Sequence, residues 1–315
     1  MRRQFLGLMV GALALAGGAA QAQQNFSLGV IAFQMSSETH ARVANAVQAA
    51  AQQRGWRVTL LNSRGDMAQH AAQIENLIQA RVNAIVVAMG KPVETDQQLA
   101  AARAANIPVI TVMSGTSPHT LFDIQVNEYS VGATAALYLL GQLNYRGNIL
   151  EQRFDGNVGT RIRARVLDAV LAENSAVTVL GQHTMARTAS WQEDVRAGMS
   201  ALLLRHRANV NGIWASFDGQ AYIIDDLLQQ SGGRKGNPVL VSIDGGRETY
   251  RRIADPQSTL MATVAIPFEQ MGLRAVESVE RIVVRNEPRN AVVQGPYMYM
   301  DAVLVDANNV QQFMN

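Results

Sequence analysis

The chain contains no cysteine. A disulfide framework, a thiol nucleophile and a cysteine zinc site are therefore excluded, and folding must rest on the apolar core. An excess of charge is lacking too. There are 27 Lys and Arg against 25 Asp and Glu, and two of the basic residues, Arg2 and Arg3, stand at the extreme N-terminus. Without that pair the chain is formally neutral, 25 against 25, which argues against an electrostatic footprint for nucleic acid or a charged membrane surface. Beyond the first residues no apolar run is long enough to cross a bilayer. Catalytic signatures are missing as well: no G-x-S-x-G elbow, no phosphate loop, no G-x-G-x-x-G dinucleotide turn and no H-E-x-x-H zinc motif. The five histidines, His40, His70, His119, His183 and His206, are scattered without metal-ligand spacing. No enzyme activity, cofactor or metal is expected.

Residues 1–22 supply the first positive signal. Arg2 and Arg3 precede an apolar core over 5–16, and small residues follow up to Ala20-Gln21-Ala22. A positive start, a short apolar middle and an A-x-A site define a secretory signal peptide, cleaved after Ala22. The mature protein is expected to be soluble and exported, to a bacterial periplasm.

The remaining chain repeats one unit. An apolar run at 28–33 is too short for an ordinary helix and suits a strand buried on both faces. Polar residues follow from Gln34 to His40, and then Val43, Val47 and Ala50 recur at helical spacing until Gly55 supplies a stop. The same alternation predicts strands at 58–62, 84–88, 109–112 and 122–126, with helices from 66 and over 94–105. It restarts with helices at 130–143, 161–171, 191–207 and 220–230 between strands at 148–151, 177–182, 213–216 and 239–243. A strand at 260–264, a helix at 268–284 and a short strand near 302–305 close it. Such alternation implies an α/β fold with parallel sheets covered by helices, in two similar halves. The absence of a low-complexity linker implies that the chain passes between the halves through ordered segments. In open parallel sheets ligands bind beyond the carboxyl ends of the strands, so the first loop, with Ser37 and His40, already marks a candidate site.

Asn106-Ile-Pro-Val-Ile-Thr-Val112, Val239-Leu-Val-Ser-Ile-Asp-Gly245, Ala262-Thr-Val264 and the signal peptide, in this order and spacing, resemble the ribose-binding-protein group of periplasmic solute-binding proteins. The resemblance spans residues 28–305. It implies a type I periplasmic binding protein fold: two Rossmann-like lobes, 25–127 plus 267–294 and 128–266 plus 295–315, joined by three crossover strands and closing on a ligand by a hinge motion. It implies a monomer that serves the membrane permease and ATPase of a sugar ABC transporter. Repressors of the same fold carry a DNA-binding helix-turn-helix where this chain has a signal peptide. A periplasmic sensory protein that presents a small signal to a membrane receptor or kinase would show the same features.

The resemblance also carries site residues. Arg161 lines up with the arginine that forks onto sugar oxygens; the other role open to it is that of a solvated arginine at a helix start. Asp244 matches the aspartate that accepts hydroxyl protons, and it could equally cap the segment beginning at Arg247. Trp191 aligns with an aromatic laid on the sugar ring, or serves as a hydrophobic staple. Phe217 replaces an asparagine and lines the cleft, while Asp218 beside it caps a helix. Met113 and Ser114 stand where sugar binders place an aspartate-arginine pair, and Ile266 where a glutamine is common. Asn127 lies in the first crossover. Ribose itself is therefore disfavoured. The expected ligand has a polar, hydroxylated or anionic end and a less polar remainder: a deoxy sugar, a polyol or a sugar acid.

Overall fold

A computed structural model describes residues 26–186 and 190–314; the segment read as a signal peptide lies outside them. The apolar runs become strands and the amphipathic stretches helices, in the expected alternation. The chain runs β1 (Ser27–Ala32), α1 (Glu38–Gln53), β2 (Arg57–Asn62), α2 (Met67–Gln79), β3 (Ala84–Ala88), α3 (Asp96–Ala104), β4 (Val109–Val112) and β5 (Asp123–Gln125). It continues with α4 (Glu128–Gln142), β6 (Gly147–Arg153), α5 (Val158–Ala172), β7 (Val177–Thr184), α6 (Trp191–His206), β8 (Gly212–Ala215), α7 (Asp218–Gln230), β9 (Val239–Asp244) and α8 (Arg247–Ala254). Last come β10 (Leu260–Ala265), α9 (Phe268–Val279), β11 (Tyr297–Tyr299) and β12 (Val303–Asp306).

Two compact units result: the described residues up to Gln125 with Phe268–Met300, and Val126–Pro267 with the residues from Asp301 onward. The first unit holds a sheet of order β11-β5-β4-β3-β1-β2 in which every pairing is parallel. The second holds β12-β10-β9-β8-β6-β7, parallel except for the antiparallel edge strand β12. In both, the central strands are mostly apolar because helices cover both faces; β3 and β8 are buried at every residue. Each unit has its own core. Ile31, Ile74, Leu77, Ile85 and Leu99 cluster in the first, and Leu150, Met199, Ile213, Ile224 and Leu240 in the second.

The structure departs from the expected pattern in four places. Residues 295–300, expected with the second half, belong to the first unit, because β11 pairs with β5 in register Tyr297↔Asp123. Val126, Asn127 and Pro267, expected with the first half, fall in the second. The helix expected over 268–284 is α-helical only to Val279 and ends in a π-helical turn, Glu280–Val284. Finally, α1 begins at Glu38, so His40 sits in a helical first turn and not in the preceding loop.

Helix α4 packs on α5 through Gly132. A Cβ built there would lie 2.9 Å from Arg163 Cα and 3.2 Å from its carbonyl oxygen, so contact is backbone to backbone with no flexible neighbour to yield. Gly132→Ala should force the two helices apart at a cost of about 1–3 kcal/mol, read as a fall in the thermal midpoint. In the first unit Asp123 is fully buried. Its Oδ1 accepts from the Ser114 amide at 3.1 Å while Oδ2 has no partner. Burial pushes this carboxyl up to about 7, against the lowering contributions of Thr111, Ser114 and Gly115. A raised carboxyl binds its proton more tightly in the folded than in the unfolded chain, so stability is greatest below the unfolded pKa and declines as pH rises toward 7. Asp123→Asn should flatten that decline between pH 4 and 7 in urea titrations.

Candidate functional site

Both sheets reverse their winding beside their first strand, between β1 and β3 in the first unit and between β6 and β8 in the second. The crevice at the carboxyl ends of such a strand pair is where open α/β sheets bind ligands.

In the second unit this edge gathers most of the residues singled out in the sequence. Trp191, the first residue of α6, packs on Phe217 with ring centroids 5.7 Å apart, and Phe217 meets Phe154 edge to face at 6.1 Å. Phe154 follows β6 directly and was not anticipated from the sequence, although a residue immediately beyond a parallel strand is where a site is sought. All three rings are only half-buried. Gly219 leaves them room, since a Cβ there would meet Phe217 and Trp191 at 3.1 Å. Arg161 stands in the first turn of α5, half-buried, and its Nη1 donates to the Asp155 carbonyl at 2.6 Å.

Below these lies a buried ionic cluster. Arg163, which nothing in the sequence distinguishes from Arg161, is 4% exposed and forks onto Glu128, with Nε to Oε2 at 2.6 Å and Nη2 to Oε1 at 3.1 Å. Its Nη1 reaches the Ser216 carbonyl at 3.0 Å and Asp244 Oδ1 at 3.1 Å. Asp244 ends β9 with φ at 128°, a conformation costly for a residue with a side chain. The next residue is necessarily glycine: a Cβ at Gly245 would lie 2.6 Å from that of Ala265 and 2.7 Å from Tyr250 Oη. Burial raises the Asp244 carboxyl to about 7; Arg163 opposes that shift and the nearby Asp218 adds to it. Asp244 does not cap α8, whose N-cap is Gly246.

Asp218 corrects an expectation. It is the first residue of α7, after an N-cap at Phe217, and it caps nothing. Its carboxylate is buried and accepts from the hydroxyls of Ser242, Thr249 and Thr263, the last two at 2.6 and 2.9 Å. It braces β9 and β10 from within. Ile266 is 1% exposed and donates its amide to the Asp244 carbonyl at 2.8 Å, so its side chain belongs to the core. Asn127 is exposed, but its Oδ1 caps α4 by accepting from Tyr129 and Ser130 amides.

The first unit's edge holds the other residues singled out. Ser37 is the N-cap of α1, its hydroxyl 3.2 Å from that of Thr39. His40 Nδ1 accepts from the Gln34 amide at 3.2 Å, and burial lowers its pKa to about 4, so the ring is neutral at ordinary pH. Ser114 Oγ accepts from the Gly90 amide and lies within reach of the Val112 and Val87 carbonyls, which ties the ends of β3 and β4 together. Met113 beside it is half-buried in the left-handed region, φ 50°. Among the described residues no group of three or more acidic or histidine side chains could hold a metal ion.

Comparisons with known proteins agree with this architecture. A family model described as a periplasmic binding protein domain matches residues 28–287. The xylitol-binding protein of Mycolicibacterium smegmatis is 28% identical over 190 residues, which cover 58% of this chain and only about half, 52%, of that protein. The ribose import binding protein of Bacillus subtilis is 20% identical over 265 residues, 83% of each chain. Among solved structures, a 5-methylthioribose transporter solute-binding protein of Thermotoga lettingae, in complex with 5-methylthioribose, superposes with a TM-score of 0.81 at 19% identity, covering 93% of this chain and 90% of that one. These relatives are solute-binding proteins and not enzymes. With its two helix-covered parallel sheets and the match over 28–287, the chain belongs to the periplasmic binding protein family and has the type I fold of the sugar-transporter solute-binding proteins.

Proposed function

We propose that this protein is the substrate-binding component of an ABC importer for a neutral sugar or polyol. The observation that carries the proposal is the edge of the second unit's sheet. There the aromatic trio Phe154, Phe217 and Trp191 lies on the same sheet edge as the Arg161 fork and the Asp244 carboxylate. Aromatic faces take the apolar face of a sugar ring, while a guanidinium and a carboxylate take its hydroxyls as acceptors and donors. In this reading Arg163 holds Oδ1 of Asp244 and a ligand hydroxyl donates to Oδ2. Arg161 donates through the nitrogens that Asp155 does not engage. The xylitol and ribose specificities of the relatives support a polyhydroxylated ligand.

The same proposal includes export to the periplasm with cleavage after Ala22, closure of the two units on the ligand about the crossovers, action as a monomer, and delivery to a membrane permease. No observation favours the sensory alternative. N-terminal sequencing of the protein recovered from periplasm should read from Gln23.

A thermal-melt panel of pentoses, hexoses and polyols tests the function. A ligand at about a hundred times its dissociation constant adds roughly 2.7 kcal/mol of stability, a shift of several degrees, and a flat panel on the folded protein would refute carbohydrate binding. With a ligand in hand, Arg161→Ala should weaken binding by roughly tenfold or more and leave the unliganded midpoint unchanged. Arg163→Ala should instead lower that midpoint by the equivalent of about 3–5 kcal/mol, because it strands buried carboxylates. Affinity should rise with pH up to about 7 as Asp244 ionises and becomes an acceptor. Asp244→Asn should abolish that rise.

A further inference from the structure

One pleat further into the second unit than Asp244, a second carboxylate is buried among donors. Asp218, at the start of α7, accepts from the hydroxyls of Ser242 on β9, Thr263 on β10 and Thr249 on α8, and from the amide of Gly245. Burial raises its pKa against these bonds. The anion is nevertheless the form that accepts all four, since a protonated carboxyl would have to give up one acceptor site. All four donors are neutral, so none of them cancels the charge. The same bonds define the turn that carries Asp244. Ser242 stands two residues before it on the same face of β9, the Gly245 amide belongs to the peptide directly after it, and Thr249 lies in the first turn of α8. One carboxylate thus ties down both arms of a turn with positive φ at two successive residues, 128° at Asp244 and 72° at Gly245. The charged groups acting on Asp244 are Arg163 from α5, Glu128 from α4 and Asp218 from α7. On α8, Arg247 is exposed, Glu248 is taken by Arg252 at 2.8 Å, and the Tyr250 hydroxyl lies against Gly245.

Resting on the sugar-binding reading above, we infer that Asp218 is a positioning residue that acts on the ligand through Asp244, whose turn it clamps and whose carboxylate it faces with a like charge. Buried as it is, Asp218 reaches no ligand itself. Its clamp fixes the direction in which Asp244 meets a sugar hydroxyl. Its charge defers the ionisation of Asp244 toward neutral pH, so that near pH 7 the same carboxyl serves a hydroxyl either as donor or as acceptor.

The test first reads Asp244 without a ligand. In protein labelled with carbon-13 at the aspartate carboxyl groups, the Asp244 signal is the one lost in Asp244→Asn, and it is followed by NMR from pH 4 to 9 in the parent and in Asp218→Asn. Asparagine keeps an oxygen for Ser242 and Thr263 and sheds the charge. The Asp244 midpoint, about 7 in the parent, should fall by roughly one pH unit or more. A residue that only braced the sheet would leave it in place, so an unmoved midpoint overturns the inference. Should Asp218→Asn fail to fold, the parent decides. Its Asp218 signal, identified by its displacement in Ser242→Ala, must hold its ionised position while Asp244 titrates, and an Asp218 protonated in that range overturns the inference equally. Calorimetry with the sugars and polyols of the melt panel then reads the ligand side. The rise of affinity with pH should move to lower pH in Asp218→Asn by the same amount, and Asp218→Asn should shift nothing once Asp244→Asn is present. A rise that stays in place would overturn the coupling and leave carbohydrate binding standing. A panel in which nothing binds, with the Asp244 midpoint displaced as expected, would remove the functional reading and the ligand role of Asp218, but not its hold on Asp244.

Discussion

The guanidinium of Arg163 is the interaction on which the carboxyl end of the second unit's sheet depends. It is buried, permanently charged, and holds the start of α4 through Glu128, the end of β8 through the Ser216 carbonyl and the end of β9 through Asp244. A buried ion must be paired and hydrogen-bonded or its desolvation unfolds the site, and here the fork onto Glu128 meets that demand. The close approach at Gly132 follows from the same need, since α4 must lie against α5 for Glu128 to reach. Asp244 receives what remains of Arg163, one bond through Nη1, and burial leaves its carboxyl near neutrality in acidity. The site thus contains a carboxylate positioned by an arginine but incompletely neutralised by it.

The carboxyl ends of the two sheets differ in chemical character. In the second unit Arg163 joins Glu128, the Ser216 carbonyl and Asp244, Asp218 joins Ser242, Thr249 and Thr263, and Arg161 and the rings of Phe154, Phe217 and Trp191 are only half-buried. In the first unit Asn62 and Ser114 are engaged by backbone groups, and Met89 and Met113 directly follow β3 and β4. Strain is placed accordingly: Met89, Met113 and Asp244 all carry positive φ at carboxyl ends of strands, where the surrounding sheet over-determines them.

How far the chain could be read in advance follows from which forces are local. Apolar runs and turn residues made β1, β3 and β8 legible, because strands buried on both faces have little freedom in composition. Edge strand β11 was not legible. Its three residues, Tyr297–Tyr299, have no alternation to detect, and their place beside β5 is set by a pairing with residues far away in sequence. Arg161 and Arg163 are two apart on one helix and look alike in sequence. Only the packing of α4 on α5 buries Arg163 and leaves Arg161 half-exposed beside Asp155.

By itself the sequence determined the α/β class, the two repeated halves and the family, because periodicity and the order of strand-end loops are properties of the chain in one dimension. Tertiary structure alone decided which polar groups at those loops remain available. Asp218 and Ser114 could not be told from ligand residues until their hydrogen-bond partners were in place, Ser242, Thr249 and Thr263 for one and the ends of β3 and β4 for the other. A donor or acceptor engaged inside the protein is lost to a ligand, and that engagement depends on contacts between segments distant in sequence.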